Sequence, residues 1–199
     1  RACRAYSGRK KLLRLEGHFH GYHEHVYIGG HPPRDYWPRN REVPYLESPG
    51  IPEEFAALVV PIPHNDLDAL ERAIRKEGND VALLILEPIN WNCGGIQCDP
   101  GYLQAAREMT RDAGIVLFFD EIQSAFKTRG LSAQRDCGVT PDVATIGKSL
   151  GGGFPLSAFC GRAEIMDLYK PVGPVQHSGT FNAPLRSEEH TSELQSPYV

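Results

Sequence analysis

VATIGKSLGGGFP, residues 143–155, sets a lysine directly after one glycine and just before a run of three more. Gly147-Lys148-Ser149 matches the end of a phosphate-binding loop, G-x-x-x-x-G-K-[ST], whose first glycine would fall at position 142. That position is Asp142, a carboxylate standing where phosphate oxygens would lie. Val143 to Ile146 read as strand, and Gly151, Gly152 and Gly153 follow the lysine when they should precede it. The phosphate-loop reading fails. What remains is an amine at the end of a buried strand among small residues, which suits covalent capture of a carbonyl in a confined site.

Outward from this stretch, strands and helices alternate. LLRL (12–15) and Ala57 to Val60 are strand candidates, separated by a Gly/His/Pro/Tyr-rich stretch too irregular for either period. Asn65 or Asp66 caps a helix with Leu67, Leu70 and Ile74 on one face and Gly78 as its stop. VALLILEP (81–88) is apolar up to Glu87, as expected of a strand covered on both faces. Asp99 and Pro100 open a second helix, with Leu103, Ala106, Thr110 and Ala113 inward and Gly114 closing it. IVLFF (115–119) reads as another fully buried strand, ending in Asp120-Glu121. LSAFC (156–160) predicts a short strand, AEIMDLY (163–169) a short helix, and RACRAYSGRK the tail of a helix. The expectation is an α/β fold, its mostly parallel sheet flanked by helices, with ligand chemistry at the strands' carboxyl ends. Glu87, Asp120 and Lys148 all stand at such ends.

The totals exclude several classes of partner. The 199 residues are 41% hydrophobic and 23% charged, with a net charge of −4 and no basic stripe, which argues against nucleic acid or an anionic membrane. No apolar run approaches the roughly 20 residues of a membrane span. The five cysteines are scattered, and Cys93 and Cys98 are too far apart for a CxxC pair, so reduced thiols in a cytoplasmic protein are expected. RSEEHTSELQSP (186–197) has one large apolar residue, Leu194, and resembles the translation of a sequencing-adapter oligonucleotide. Residues 1–185 are therefore read as the folded part and 186–199 as a non-native or disordered tail.

Asp120 ends a buried strand, where an aspartate without a cation is costly. A protonated ring nitrogen of a bound heterocycle would supply that cation; capping of a following helix is the alternative. EGHFHG (16–21), LEPI (86–89), FFDEIQSAF (118–126), PDVATIGKSLGGGFPLSAF (141–159) and HSGTFNA (177–183) resemble, in order and spacing, the class III aminotransferases. That family includes omega-amino transaminases and glutamate-1-semialdehyde aminomutase.

The resemblance implies a fold-type I large domain that binds pyridoxal 5'-phosphate. Lys148 would form the Schiff base and then act as the general base, and Asp120 would pair with the pyridine nitrogen. Gln123 would hydrogen-bond the phenolic oxygen, and Phe19, in place of the family's usual tyrosine, would stack on the ring beside His20 and Gly21. Glu87 would line the site, with a purely structural carboxylate as the alternative. Thr180 would reach the cofactor phosphate of a second subunit, which requires a homodimer. Ala125 replaces a glycine common in the family. The family's phosphate loop would precede residue 1 and its small domain would follow, so an incomplete cofactor domain, inactive alone, is expected. The implied reaction moves an amino group between an amine or amino acid and a keto or aldehyde acceptor. The alternatives are intramolecular transfer of the aminomutase kind, an inactive fragment, and a histidine-rich metal module. His18, His20, His23 and His25 are read as solvent-facing or hydrogen-bonding residues, with no metal site.

Overall fold

A computed structural model gives the fold, and the residues it describes are 1–36 and 43–178. Helix α1 (Ala2–Ser7) ends at Gly8, whose φ of 69° is the left-handed cap that glycine adopts without strain. Strand β1 (Lys11–Leu15) leads into the irregular segment, whose described residues form 3-10 turns at Glu24–Val26 and Glu53–Leu58 and a bridge between Ile28 and Leu46. Because the second turn takes up Ala57 and Leu58, β2 (Val59–Ile62) begins later than the sequence suggests. Asp66 caps α2 (Leu67–Glu77), its Oδ1 accepting the Ala69 N–H at 2.8 Å. Gly78 does not take the left-handed cap; its φ is −54°, and a 3-10 turn carries the chain into β3 (Val81–Leu86).

A small hairpin of β4 (Ile89–Asn90) and β5 (Ile96–Gln97) follows, then α3 (Pro100–Asp112) and β6 (Val116–Glu121). The chain continues through α4 (Ala133–Cys137), β7 (Val143–Ile146), β8 (Ala158–Gly161) and α5 (Ala163–Met166). Strand β8 starts later than expected because Leu156 is still held in a turn, its N–H on the Phe154 carbonyl. Helix α5 stops early because Leu168 and Lys170 turn their backbone groups toward Val175.

The six-stranded sheet has the order β2-β1-β3-β6-β7-β8, parallel except at the β7–β8 edge. All six residues of β3 are buried, because helices or loops cover both of its faces. Leu84 and Leu86 point into a core shared with Leu70, Leu103 and Leu117, while Leu83 and Ile85 point into a second core with Leu12, Ile28 and Ile165. One strand thus supplies both layers. In β6 the expectation of complete burial fails at Phe118, which is half-buried beside Phe159 at 5.6 Å between rings.

Asp142 closes the question of the phosphate loop. Its carboxylate accepts the Leu117 N–H at 2.8 Å and pairs with Arg107 at 3.0 Å and Arg162 at 3.2 Å. It ties α3, β6 and the start of α5 together, at the end of β7 opposite Lys148. Among the described residues, no helix is long and apolar enough to cross a membrane.

Leu84 is fully buried at the centre of the sheet. Leu84→Ala is expected to cost about 2–5 kcal/mol, read from the urea midpoint at unchanged slope.

Candidate active site

The carboxyl ends of β3, β6 and β7 lie side by side. Strands β6 and β7 pair with Asp120 opposite Thr145 and Glu121 opposite Ile146, so Lys148 emerges at the sheet edge where Asp120 stands. Glu87 follows β3 on the other side of β6.

Asp120 is held by three donors. Its Oδ2 lies 2.8 Å from His20 Nδ1, while Oδ1 accepts the Ile122 N–H at 3.1 Å and the Thr145 hydroxyl at 3.3 Å. The His20 side chain is 1% exposed. Burial holds its pKa below the ordinary value despite the pull of Asp120, so a neutral ring donates Nδ1–H to the carboxylate.

Glu87 is gripped by both its backbone and its carboxylate. Its N–H donates to His18 Nδ1 at 2.8 Å, and the Cys98 thiol approaches its carbonyl at 3.6 Å. Oε1 accepts the Phe19 N–H at 2.8 Å and the Asn92 amide at 3.2 Å. Burial raises the Glu87 pKa first of all; the Phe19 N–H works against it, and the nearby Asp120 charge adds to it. The three consecutive residues His18, Phe19 and His20 therefore orient both carboxylates at the sheet edge.

That loop is fixed by Arg14, which is 1% exposed on β1. Its guanidinium donates to the carbonyls of His18, Val26 and Ile28 and faces Glu47 at 3.8 Å. Glu47 in turn accepts the Gly30 N–H at 2.6 Å. A β carbon on Gly30 would collide with the guanidinium, so glycine is required there by close approach. Desolvation lowers the Arg14 pKa to about 10.

Lys148 opens a 3-10 turn, Lys148–Gly151, at a φ of 47°, a left-handed conformation that costs a non-glycine residue energy and is found where structure serves a site. The side chain is exposed, and no hydrogen bond or ion pair among the described residues holds its amine. Gly147 just before it has Ile122 so close that a β carbon would meet Cδ1 at 2.8 Å.

Other residues singled out by sequence occupy less committed positions. The Gln123 amide oxygen accepts from Lys127 Nζ at 3.2 Å. Phe19 is half-buried, edge-on to Tyr22 at 5.2 Å, and Gly21 turns the chain at a φ of 95°. Thr180 lies outside the described residues, as does the 186–199 tail.

The histidines divide. The His18 and His20 side chains are buried and hydrogen-bonded, while His23 is exposed and stacks on His25 at 4.9 Å. Among the described residues the group with metal-ligand chemistry is instead His18, His64 and Cys98. Its hydrogen bonds oppose a metal. His18 Nδ1 accepts the Glu87 N–H, so its proton sits on Nε2 and is donated to His64 Nδ1 at 3.0 Å. A metal on Nε2 would demand an imidazolate, whereas ligating histidines normally donate from the other nitrogen. The Cys98 thiol is also pushed up to about 12 by burial. His64 and Cys98 lie far along the chain from His18, and no local pattern announces that they meet it.

The family model for Aminotransferase class-III covers residues 2–187. The chain belongs to that family. It is 43% identical over 92% of its length to a glutamate-1-semialdehyde 2,1-aminomutase of Pyrobaculum aerophilum, and 40% identical to the protein of the same name from Methanocaldococcus jannaschii. It spans 42% and 41% of those two relatives. An omega-transaminase from Sphaerobacter thermophilus superposes with a TM-score of 0.80 at 36% identity, over 92% of this chain and 42% of that one. A transaminase with PLP bound gives 0.82 at 28% identity, over 98% and 46%.

Burial holds the His18 pKa down to about 2, against an ordinary 6.5. The unfolded chain takes up a proton below 6.5 and the folded chain does not, so this contribution to stability is complete above 6.5 and is lost as pH falls below it. Between pH 7 and 5, His18 is expected to remove about 2 kcal/mol of stability. Urea titrations at the two pH values check this, with a smaller pH difference in His18→Asn.

Proposed function

We propose that this chain is the cofactor-holding part of a pyridoxal-phosphate-dependent enzyme that transfers amino groups. The observation carrying the proposal is the pairing of strands β6 and β7. That pairing supports the reading by bringing the strand end that leads to Lys148 to the sheet edge bearing Asp120, whose carboxylate His20 holds.

The residues present fit the cofactor. An amine held by no described partner suits an aldehyde, and a carboxylate fixed by neutral donors suits a protonated ring nitrogen. When bound, pyridoxal 5'-phosphate supplies an aldehyde that joins reversibly to amines and a ring that accepts electrons from the substrate's α carbon. Lys148 holds it covalently and, once released, takes and returns the proton at that carbon. Asp120 keeps the ring nitrogen protonated. The His20 N–H holds the Asp120 carboxylate in place to face that nitrogen. Gln123 offers its amide to the phenolic oxygen, Phe19 with His20 and Gly21 borders the ring, and Glu87 lines the substrate side. Thr180 completes the phosphate contacts of a second copy in a homodimer. The substrates are an amino donor and a keto or aldehyde acceptor.

Intramolecular transfer is the second reading, favoured by the name of the 43% identical relative. Gln123 and the likeness to an omega-transaminase favour transfer between two molecules. Offering the full-length protein an amino acid and a separate keto acid decides between them, since only intermolecular transfer moves label from one to the other.

Borohydride reduction of the full-length holoenzyme is expected to fix the cofactor on the peptide carrying Lys148, and to fix none in Lys148→Ala. Attachment elsewhere overturns the assignment. Asp120→Ala should weaken cofactor binding and lower turnover by about three orders of magnitude or more. Near-normal rates would mean that the ring nitrogen has another partner.

A further inference from the structure

A cavity of about 620 Å³ opens between the β4–β5 hairpin and the loop leading to α4, away from Lys148 and Asp120. This volume lies within the range of small-molecule sites, and its walls have their usual character, apolar with a few converging polar groups. Trp91, Ile89 and Leu103 supply flat and aliphatic surface. Cys98 and Cys137 add neutral sulfur, since burial raises both thiols.

The polar groups are mostly donors. Lys127 stands over the Trp91 ring at 5.7 Å from its centre. Arg129 lines the cavity, and no hydrogen bond or ion pair among the described residues uses its guanidinium. The Thr128 hydroxyl is buried with no partner among the described residues. Asp136 is the carboxylate in the wall, and its Oδ1 is occupied by the Gly130 N–H at 2.9 Å.

The loop presenting these groups is held under strain. Phe126 and Leu131 have φ values of 63° and 65°, and the Phe126 N–H closes the loop on the Leu131 carbonyl at 2.7 Å. Two non-glycine residues in the left-handed region, framing consecutive Lys127, Thr128 and Arg129, are the kind of outlier that marks a site.

We propose that this cavity binds a small anion with an aromatic or aliphatic body, its carboxylate on Lys127 and Arg129 and its body against Trp91. Binding is coupled to the candidate active site. Lys127 donates to the Gln123 amide oxygen, so an anion that draws Lys127 away frees Gln123. The coupling rests on the proposed role of Gln123; the binding does not.

The test uses the full-length, cofactor-loaded protein and 2-naphthoate, titrated by calorimetry. Saturable binding at one site per chain is expected, weakened about tenfold or more in a Lys127→Gln/Arg129→Gln double variant and in Trp91→Leu. The neutral isostere 2-naphthamide should bind correspondingly more weakly. Lys148→Ala should still bind 2-naphthoate at one site per chain, with an affinity within the fivefold coupling of the parent's, which separates this site from the proposed active site. No binding at millimolar concentration, equal binding in the double variant, or loss in Lys148→Ala would each overturn the site. Saturating 2-naphthoate should change the affinity for pyridoxal 5'-phosphate about fivefold in the parent and not in the double variant. An unchanged affinity in the parent overturns the coupling.

Discussion

The hydrogen bond between His20 and Asp120 is the contact on which the rest depends. A carboxylate at the end of a buried strand is tolerated only where donors replace the water it has lost. Here a neutral imidazole, a backbone N–H and a hydroxyl do so without adding charge. An arginine in the same place would satisfy Asp120 completely and leave it inert toward a ligand. Neutral donors orient the carboxylate and leave its negative charge available to a cationic ring.

Orientation of that kind requires a rigid loop, and the described part of the loop bearing His20 has little regular structure beyond short 3-10 turns and one bridge. Its rigidity is borrowed. Arg14, anchored in β1, satisfies backbone carbonyls along the loop that no helix or strand would satisfy, and Glu47 balances the buried charge. Ion pairs of this kind are retained more for the arrangement they specify than for net stability. The neighbouring carboxylates of β6 show how strand alternation divides the labour. Asp120 faces the site, while Glu121, on the opposite face, is fully buried and accepts from Ser124, the Ala133 N–H and Gln134. One carboxylate stands at the candidate site and its neighbour fastens the loop that follows.

Much was readable from local pattern. The all-apolar runs of β3 and β6 predicted a sheet covered on both faces, and the Asp66 cap placed the start of α2. Burial acts on every side chain of a central strand, so it writes itself into consecutive residues. The β4–β5 hairpin and α4 left no such trace, being too short to impose a period. Strand starts and helix ends shifted wherever a local turn closed its own hydrogen bonds, as at Leu58, Leu156 and Leu168.

The sequence by itself determined the class of fold, the membership of the chain in its family, and the placing of Glu87, Asp120 and Lys148 at strand ends. These follow from periodicity and from motifs whose residues are neighbours in the chain. Only the tertiary structure decided that His18 holds the Glu87 backbone, that His20 fixes the Asp120 carboxylate, and that Arg14 locks the loop carrying both. The first two contacts join residues 69 and 100 positions apart, brought together by the parallel pairing of β1, β3 and β6. Their partners are set by geometry in space, and nothing in the local chain needs to encode it.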